Sequence, residues 1–468
     1  MATLTVLAAV GLIVLALADD TLQETLADNL RELPLPSFVG IQLVDSAFIQ
    51  DTWQFFRREA LQKRTFWVLA AVLVAYELYK LLVKPLRVVR RLEDRGYVPD
   101  QDESTLKDTA ADVARRRQRG DLPPVYPNGW FRICDSGDLA IGEVKTFTLL
   151  GESIAVFRGE NGTVYAVEAY CPHLGANLGI GGRVIDNCIE CPFHGWTFRG
   201  DDGKCVRIPY AKKVPEIAKI KPWTILEVNK LIYIWHHAEK CEPDYLPEEI
   251  EGIVDGSWRC HGFSEHMINA HIQEVPENAA DVAHLSHLHG PFLIQGVDLR
   301  YTNKPSVTSA LRHGWSAEWS ALPAPEAHIG VLNLSHYLTV FGFRVPGTTI
   351  DVEARQIGPS IVHLHFDHCI FGKGVLLQEL SPVEPLLLKM THQVWGSPWM
   401  PSFIGKLFLW GEYHQVERDL MIWNNKRYVS KPMLVKEDEL IGKHRRWYSQ
   451  FYSENSPRYT AARTSLDW

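Results

Sequence analysis

The stretch from Cys171 to Trp196, CPHLGANLGIGGRVIDNCIECPFHGW, places Cys-x-His at one end of a glycine-rich segment and Cys-x-x-His at the other. Seventeen residues separate Cys171 and His173 from Cys191 and His194, and a glycine follows each pair, in CPHLG and CPFHGW. Two thiols and two imidazoles brought together make a four-ligand metal site. Cys188 sits at Cys-x-x-Cys spacing to Cys191, but the set is complete without it and it reads as packing. Around this stretch, runs such as IAVFRG, TVYAVEA and LIYIWHH alternate and are broken by Gly, Asn and Asp turns, which predicts an all-β unit over residues 125–240.

Zinc binds such a set tetrahedrally; a Rieske [2Fe-2S] cluster uses the same groups, sorted as two cysteines on one iron and two histidines on the other. The glycine after each pair favours the cluster, because backbone amides in such turns can donate to its sulfides. The paired turns resemble the Rieske family, which implies that Cys171, His173, Cys191 and His194 hold a [2Fe-2S] cluster. In the respiratory and photosynthetic members each loop has an extra cysteine and a hydroxyl residue follows the second His-Gly. Ala176, Phe193 and Trp196 supply neither thiol nor hydroxyl here, which implies a lower potential.

At 468 residues the chain needs two or three domains of roughly 100 to 200 residues each. An apolar content of 46% and a charged content of 22% argue against long disorder, and a net charge of -8 gives no footprint for nucleic acid. Of eight cysteines, Cys134, Cys205, Cys241, Cys260 and Cys369 stand alone. That is no disulfide framework, and a reducing compartment fits.

Two apolar segments, Ala2–Ala18 and Thr65–Val83, approach the roughly 17 to 25 residues of a membrane helix. Ala16-Leu17-Ala18 also suits a cleaved signal sequence, and both readings stay open. Arg57, Arg58, Lys63 and Arg64 precede the second segment, and Lys84, Arg87, Arg90, Arg91 and Arg95 follow it. The expectation is a membrane-anchoring region over 1–95, in the endoplasmic reticulum, with the catalytic domains facing the cytosol. A polar linker with one short helix follows over 96–124. An α+β domain with a helix-flanked antiparallel sheet is expected over 241–468, with helices near 276–289, 403–427 and 437–452.

Downstream, EVPENAADVAHLSHLHG contains Asp281, His284 and His289, spaced D-x-x-H-x4-H, with His287 between the two histidines. Two imidazoles and one carboxylate leave positions open on Fe(II) for dioxygen. With the cluster stretch upstream, the arrangement resembles the Rieske non-haem iron oxygenases. That resemblance implies His284 and His289 as iron ligands and leaves His287 out. It carries the third ligand to Asp419 in HQVERDLMIWNNKRY, with Glu417 as runner-up. It also implies that Asp281 bridges His284 to His194 of a neighbouring subunit, in a head-to-tail homotrimer. Glu277 and Asn278 receive no role, and neither do His363, His365 and His368 in HLHFDH.

The segment LGIGGRV fails the dinucleotide spacing, so electrons are expected from a separate NAD(P)H-dependent reductase. HIQEVPENAADVAHLSHLH and LVKEDELIGKHRRWYSQFYSENSP resemble the animal cholesterol 7-desaturases of the Neverland type. The resemblance implies conversion of cholesterol to 7-dehydrocholesterol with O2, the entry step to ecdysteroid and dafachronic acid type hormones. The alternatives are a Rieske hydroxylase of a sterol or other lipophilic substrate and, further off, a Rieske electron carrier.

Overall fold

The computed structural model describes residues 63–99, 105–117, 119–368 and 371–464. The chain divides into two compact units, residues 1–83 and 84–468. In the first, α1 spans Lys63–Leu82. Among the described residues no helix is long and apolar enough to cross a membrane, which overturns the N-terminal membrane helix expected at Thr65–Val83. The physical reason lies in its last turns. Tyr76, Glu77, Tyr79 and Lys80 interrupt the apolar run, with the Lys80 ammonium 2.9 Å from the Glu77 carboxylate, short of the roughly 20 apolar residues a span needs. The expected segment Ala2–Ala18 lies outside the described residues.

The second unit begins with β1 (Leu86–Arg90), which the basic flank had assigned to the anchoring region. Its alternation turns Leu86 and Val88 toward an apolar cluster that includes Leu409 and Tyr413. The strand pairs in parallel with the catalytic sheet. The following segment contains α2 (Leu106–Arg116), whose first turn is capped by the Thr105 hydroxyl. Arg117 then ties the chain inward through the carbonyls of Asn269 and Trp423.

Between Gly129 and His236 the chain forms three small antiparallel sheets. The strands β2 (Gly129–Asp135) and β3 (Leu231–His236) pair with each other and close the unit. Phe157, Val167, Leu178, Ile189 and Phe198 pack around Cys171 and Cys191 as one buried cluster, so an apolar core supports the four-ligand stretch.

A nine-stranded sheet follows, built on β1, β4 (Arg259–Ile268), β5 (Leu311–Ala321), β6 (Ile329–Val340), β7 (Ile350–Ile357), β8 (Ile361–His368), β9 (Gly372–Glu384) and β10 (Leu387–Gly396). Its path is β1-β4-β10-β9-β8-β7-β6-β5, with Phe343–Arg344 as a short ninth strand beside β6. Apart from β1 the pairing is antiparallel, as the α+β expectation requires.

Before β5 lies α3 (Val282–His287); after β10 come α4 (Ser402–Trp423) and α5 (Glu439–Tyr448). The expected long helix over 276–289 is shorter and broken, because Pro276 opens a 3-10 turn and Asp281 caps α3 instead of lying inside it. The helix α4 rests on β4 and β10. Leu409, Val416, Leu420 and Trp423 are buried, each such side chain contributing about 1.5–3 kcal/mol.

Candidate active site

The two cysteine-histidine turns are built alike. The amide of Gly175 donates to the Cys171 carbonyl at 2.9 Å, and the amide of Gly195 to the Cys191 carbonyl at 3.0 Å. The Cys171 and Cys191 amides in turn donate to the carbonyls of Ala176 and Trp196 at 2.9 and 2.8 Å. Both glycines have φ near +70°, at +73° and +71°, a conformation that L side chains adopt only with strain. Cys171 and Cys191 are buried, whereas His173 and His194 are half-buried with ring centroids 4.8 Å apart. The donors are therefore sorted into a thiol pair inside and an imidazole pair at the surface. Burial, reinforced by Cys191, pushes the Cys171 thiol up to about 11, so its thiolate needs a compensating cation. This arrangement fits a [2Fe-2S] cluster, which Cys171 and Cys191 would hold from inside and His173 and His194 from the surface. Trp196 stacks on His173 at 4.8 Å and donates its indole N–H to the Tyr210 hydroxyl at 2.8 Å.

The second centre joins α3 to α4. His284, His289 and Asp419 each offer a ligand atom, all within 4.8 Å of one another. Asp281 caps α3 by accepting from the His284 amide at 3.2 Å, and its carbonyl oxygen takes the Nδ1 proton of His284. That leaves Nε2 of His284 as the ligand atom. His289 Nδ1 donates to Gln415 Oε1 at 2.9 Å, and its Nε2 lies 3.3 Å from Asp419 Oδ2. The other Asp419 oxygen accepts from Asn278 Nδ2 at 3.2 Å. Burial lowers His284 and keeps it a neutral imidazole; it works the same way on His289, but there the Asp419 carboxylate outweighs it. A buried carboxylate with two imidazoles is the donor set of a mononuclear Fe(II) with open positions.

Residues 129–218 match the Rieske [2Fe-2S] domain, and residues 234–452 match the 3-ketosteroid 9alpha-hydroxylase C-terminal domain. The chain is 51% identical over 407 residues to the cholesterol 7-desaturase nvd of Xenopus laevis, covering 86% of this chain and 89% of that one. It is 42% identical over 415 residues to the cholesterol 7-desaturase of Caenorhabditis elegans, covering 86% and 96%. The chain belongs to the cholesterol 7-desaturase family. Among solved structures, dicamba monooxygenase bound to dicamba shares the fold at a TM-score of 0.54 and 16% identity, over 70% of this chain and 98% of that one. Membership makes the chain a Rieske-type oxidoreductase with a [2Fe-2S] cluster, a non-haem iron and an external reductase. When bound, the cluster relays single electrons and the mononuclear iron activates dioxygen.

Several residues of this cholesterol 7-desaturase homologue stand apart from the triad. Glu417, the runner-up ligand, instead receives Arg90 at 2.7 Å and Arg95 at 2.8 Å. His287 is exposed on α3. Glu277, which had no assigned role, pairs with Arg445 of α5 at 2.6 Å. Other residues had no sequence signal. Arg418, fully buried, donates to the carbonyls of Leu288, Pro291, Phe292 and Gly296 and to Gln415 Oε1, which fastens the loop after His289 to α4. The amide of His313 donates to the Gly290 carbonyl at 2.8 Å, which brings β5 beside His289; its Nδ1 meets His336 Nε2 at 2.7 Å. Glu412, seven residues before Asp419 on α4, is pushed up to about 7 by burial, with Asp419 adding to the effect.

Proposed function

We propose that this chain converts cholesterol to 7-dehydrocholesterol. The observation that carries the reading is the His284–His289–Asp419 triad in a chain 51% identical to a cholesterol 7-desaturase. Hydrogen leaves C7 and C8 of the sterol, and with two electrons from the reductase and two protons, dioxygen becomes two waters. Cys171, His173, Cys191 and His194 hold the cluster, and His284, His289 and Asp419 hold the iron. Within that frame the chain's own residues orient the site: Asp281 fixes the ring of His284, Gln415 that of His289, and Asn278 the carboxylate of Asp419. The conversion is the first step of steroid hormone synthesis of the ecdysteroid and dafachronic acid type.

We also propose a homotrimer in which Asp281 faces His194 of the next subunit. The half-buried Asp281 carboxylate and the surface position of the cluster histidines, beside exposed Leu174 and Phe193, support that contact. The free cysteines among the described residues support work in the cytosol. A second reading, steroid hydroxylation, draws on 29% identity over 361 residues to a probable 3-ketosteroid-9-alpha-monooxygenase oxygenase component of Rhodococcus rhodochrous. Incubation of the enzyme with cholesterol, NADPH and a reductase separates them. A conjugated 5,7-diene supports desaturation, and a hydroxysterol as sole product rejects it.

A further inference from the structure

Outside the iron triad and the two cysteine-histidine turns, one other set of side chains among the described residues is arranged to receive a metal. His363 and His365 lie on the same face of β8, and Glu248 approaches that face from the segment joining β3 to β4. Each offers a ligand atom within 4.8 Å of the others, the same limit that holds for His284, His289 and Asp419. His363 is fully buried, and neither of its ring nitrogens has a hydrogen-bond partner. A buried imidazole with both nitrogens unpaired costs free energy that a bound cation would recover.

The carboxylate is held in place from behind. Asn229, itself buried, donates to the Glu248 carbonyl at 2.8 Å and accepts from the Ile250 amide at 2.8 Å, fixing the backbone on both sides of Glu248. Arg355, directly across from His363 on β7, grips the Glu248 carboxylate at 2.6 Å and reaches Glu353 at 3.3 Å. A carboxylate offers about four lone-pair sites, and the three Arg355 contacts leave one, on Oε2, for a cation. The two carboxylates also outweigh the single guanidinium, so a divalent ion meets a locus that is net negative. His365 lines a cavity of about 860 Å³ together with Glu353, Trp258 and Asn333, and no triad residue lines it. The cavity gives an entry path and room for a water ligand.

We propose that Glu248, His363 and His365 form a second divalent-metal site of the zinc class, separate from the iron centre, with water as its fourth ligand. It clamps the segment leaving the Rieske part onto the catalytic sheet. The inference stands whichever sterol the enzyme takes.

The test uses the full chain with its cluster, carrying His284→Ala and His289→Ala so that the iron triad takes no zinc. Zn2+ is titrated against a competing chromophoric chelator, and the visible absorption of the cluster reports folding. One tightly bound zinc per chain is expected. Adding His365→Ala, at a half-buried position that folding tolerates better than His363, should weaken it more than about 100-fold, and Glu248→Gln about 10-fold or more. His365→Cys should restore binding, because a thiolate also ligates zinc. Absence of tight zinc in the parent, or an affinity unmoved by both His365→Ala and Glu248→Gln, overturns the proposal.

Discussion

Gln415 Oε1 accepts the Nδ1 proton of His289 at 2.9 Å, which turns Nε2 of that ring toward Asp419 Oδ2 at 3.3 Å. Gln415 and Asp419 stand four apart on α4, so one helix face both supplies a ligand and orients another. Replacing Gln415 with Leu keeps the bulk and removes the acceptor. Iron affinity is expected to fall about 10- to 100-fold, while the visible spectrum of the cluster stays as it was. Iron content after dialysis against a chelator measures this, and unchanged retention would speak against the orienting role.

Arg418 holds the chain around His289 through four carbonyls, one before it and three after, and Gln415. Arg418→Met takes its donors from those buried carbonyls, at a cost on the order of 3 kcal/mol. The variant should melt several degrees lower than the parent and lose iron before it loses the cluster. Equal melting temperatures would mean that the carbonyls find other donors.

Glu379 of β9 accepts from the Tyr233 hydroxyl of β3 at 2.8 Å, and its second oxygen has no partner. Burial raises its carboxyl to about 8, above the ordinary range, although Tyr233 and Arg132 pull the other way. The folded state therefore holds this proton more tightly than the unfolded chain. Its contribution is full below about pH 4.5 and is lost as pH rises toward 8, by up to about 1.4 kcal/mol per pH unit. Glu379→Gln, which cannot ionise, should flatten the decline of melting temperature between pH 5 and 8. A decline as steep as in the parent would contradict the assignment.

If electrons pass from His194 of one subunit to Asp281 and His284 of the next, two inactive chains can complement each other. Cys171→Ser removes the cluster and His284→Ala removes the iron site. Co-expressed in one cell, they should recover part of the activity that each lacks alone, about a quarter of parental turnover for random assembly of equal amounts. No recovery in isolated mixed oligomers would show that electrons stay within one chain.

The sequence was readable where ligands are close together along the chain. The turns around Cys171 and Cys191 announce themselves by spacing and glycine, and His284 and His289 lie on a single short segment. Asp419 is far along the chain, and only resemblance reached it; a solvated helix face would have looked the same. Gln415, Arg418 and Asn278 acquire their roles from contacts between α4 and the loops around α3, which no local pattern encodes. The basic residues after Val83 misled for a physical reason. Arginines that mark the edge of a membrane and arginines that neutralise a buried carboxylate read alike, and Arg90 and Arg95 prove to serve Glu417. The Glu77–Lys80 pair likewise separates an apolar helix from a spanning one.

The most direct test of the central claim follows the hydrogens of the substrate. Cholesterol carrying deuterium at both C7 positions and at C8 is incubated with the enzyme, its reductase, NADPH and O2, and the sterols are weighed by mass spectrometry. The account predicts a 5,7-diene that has lost one deuterium from C7 and the one from C8 and has gained no oxygen. A sole product that has lost a single deuterium and gained an oxygen would contradict it.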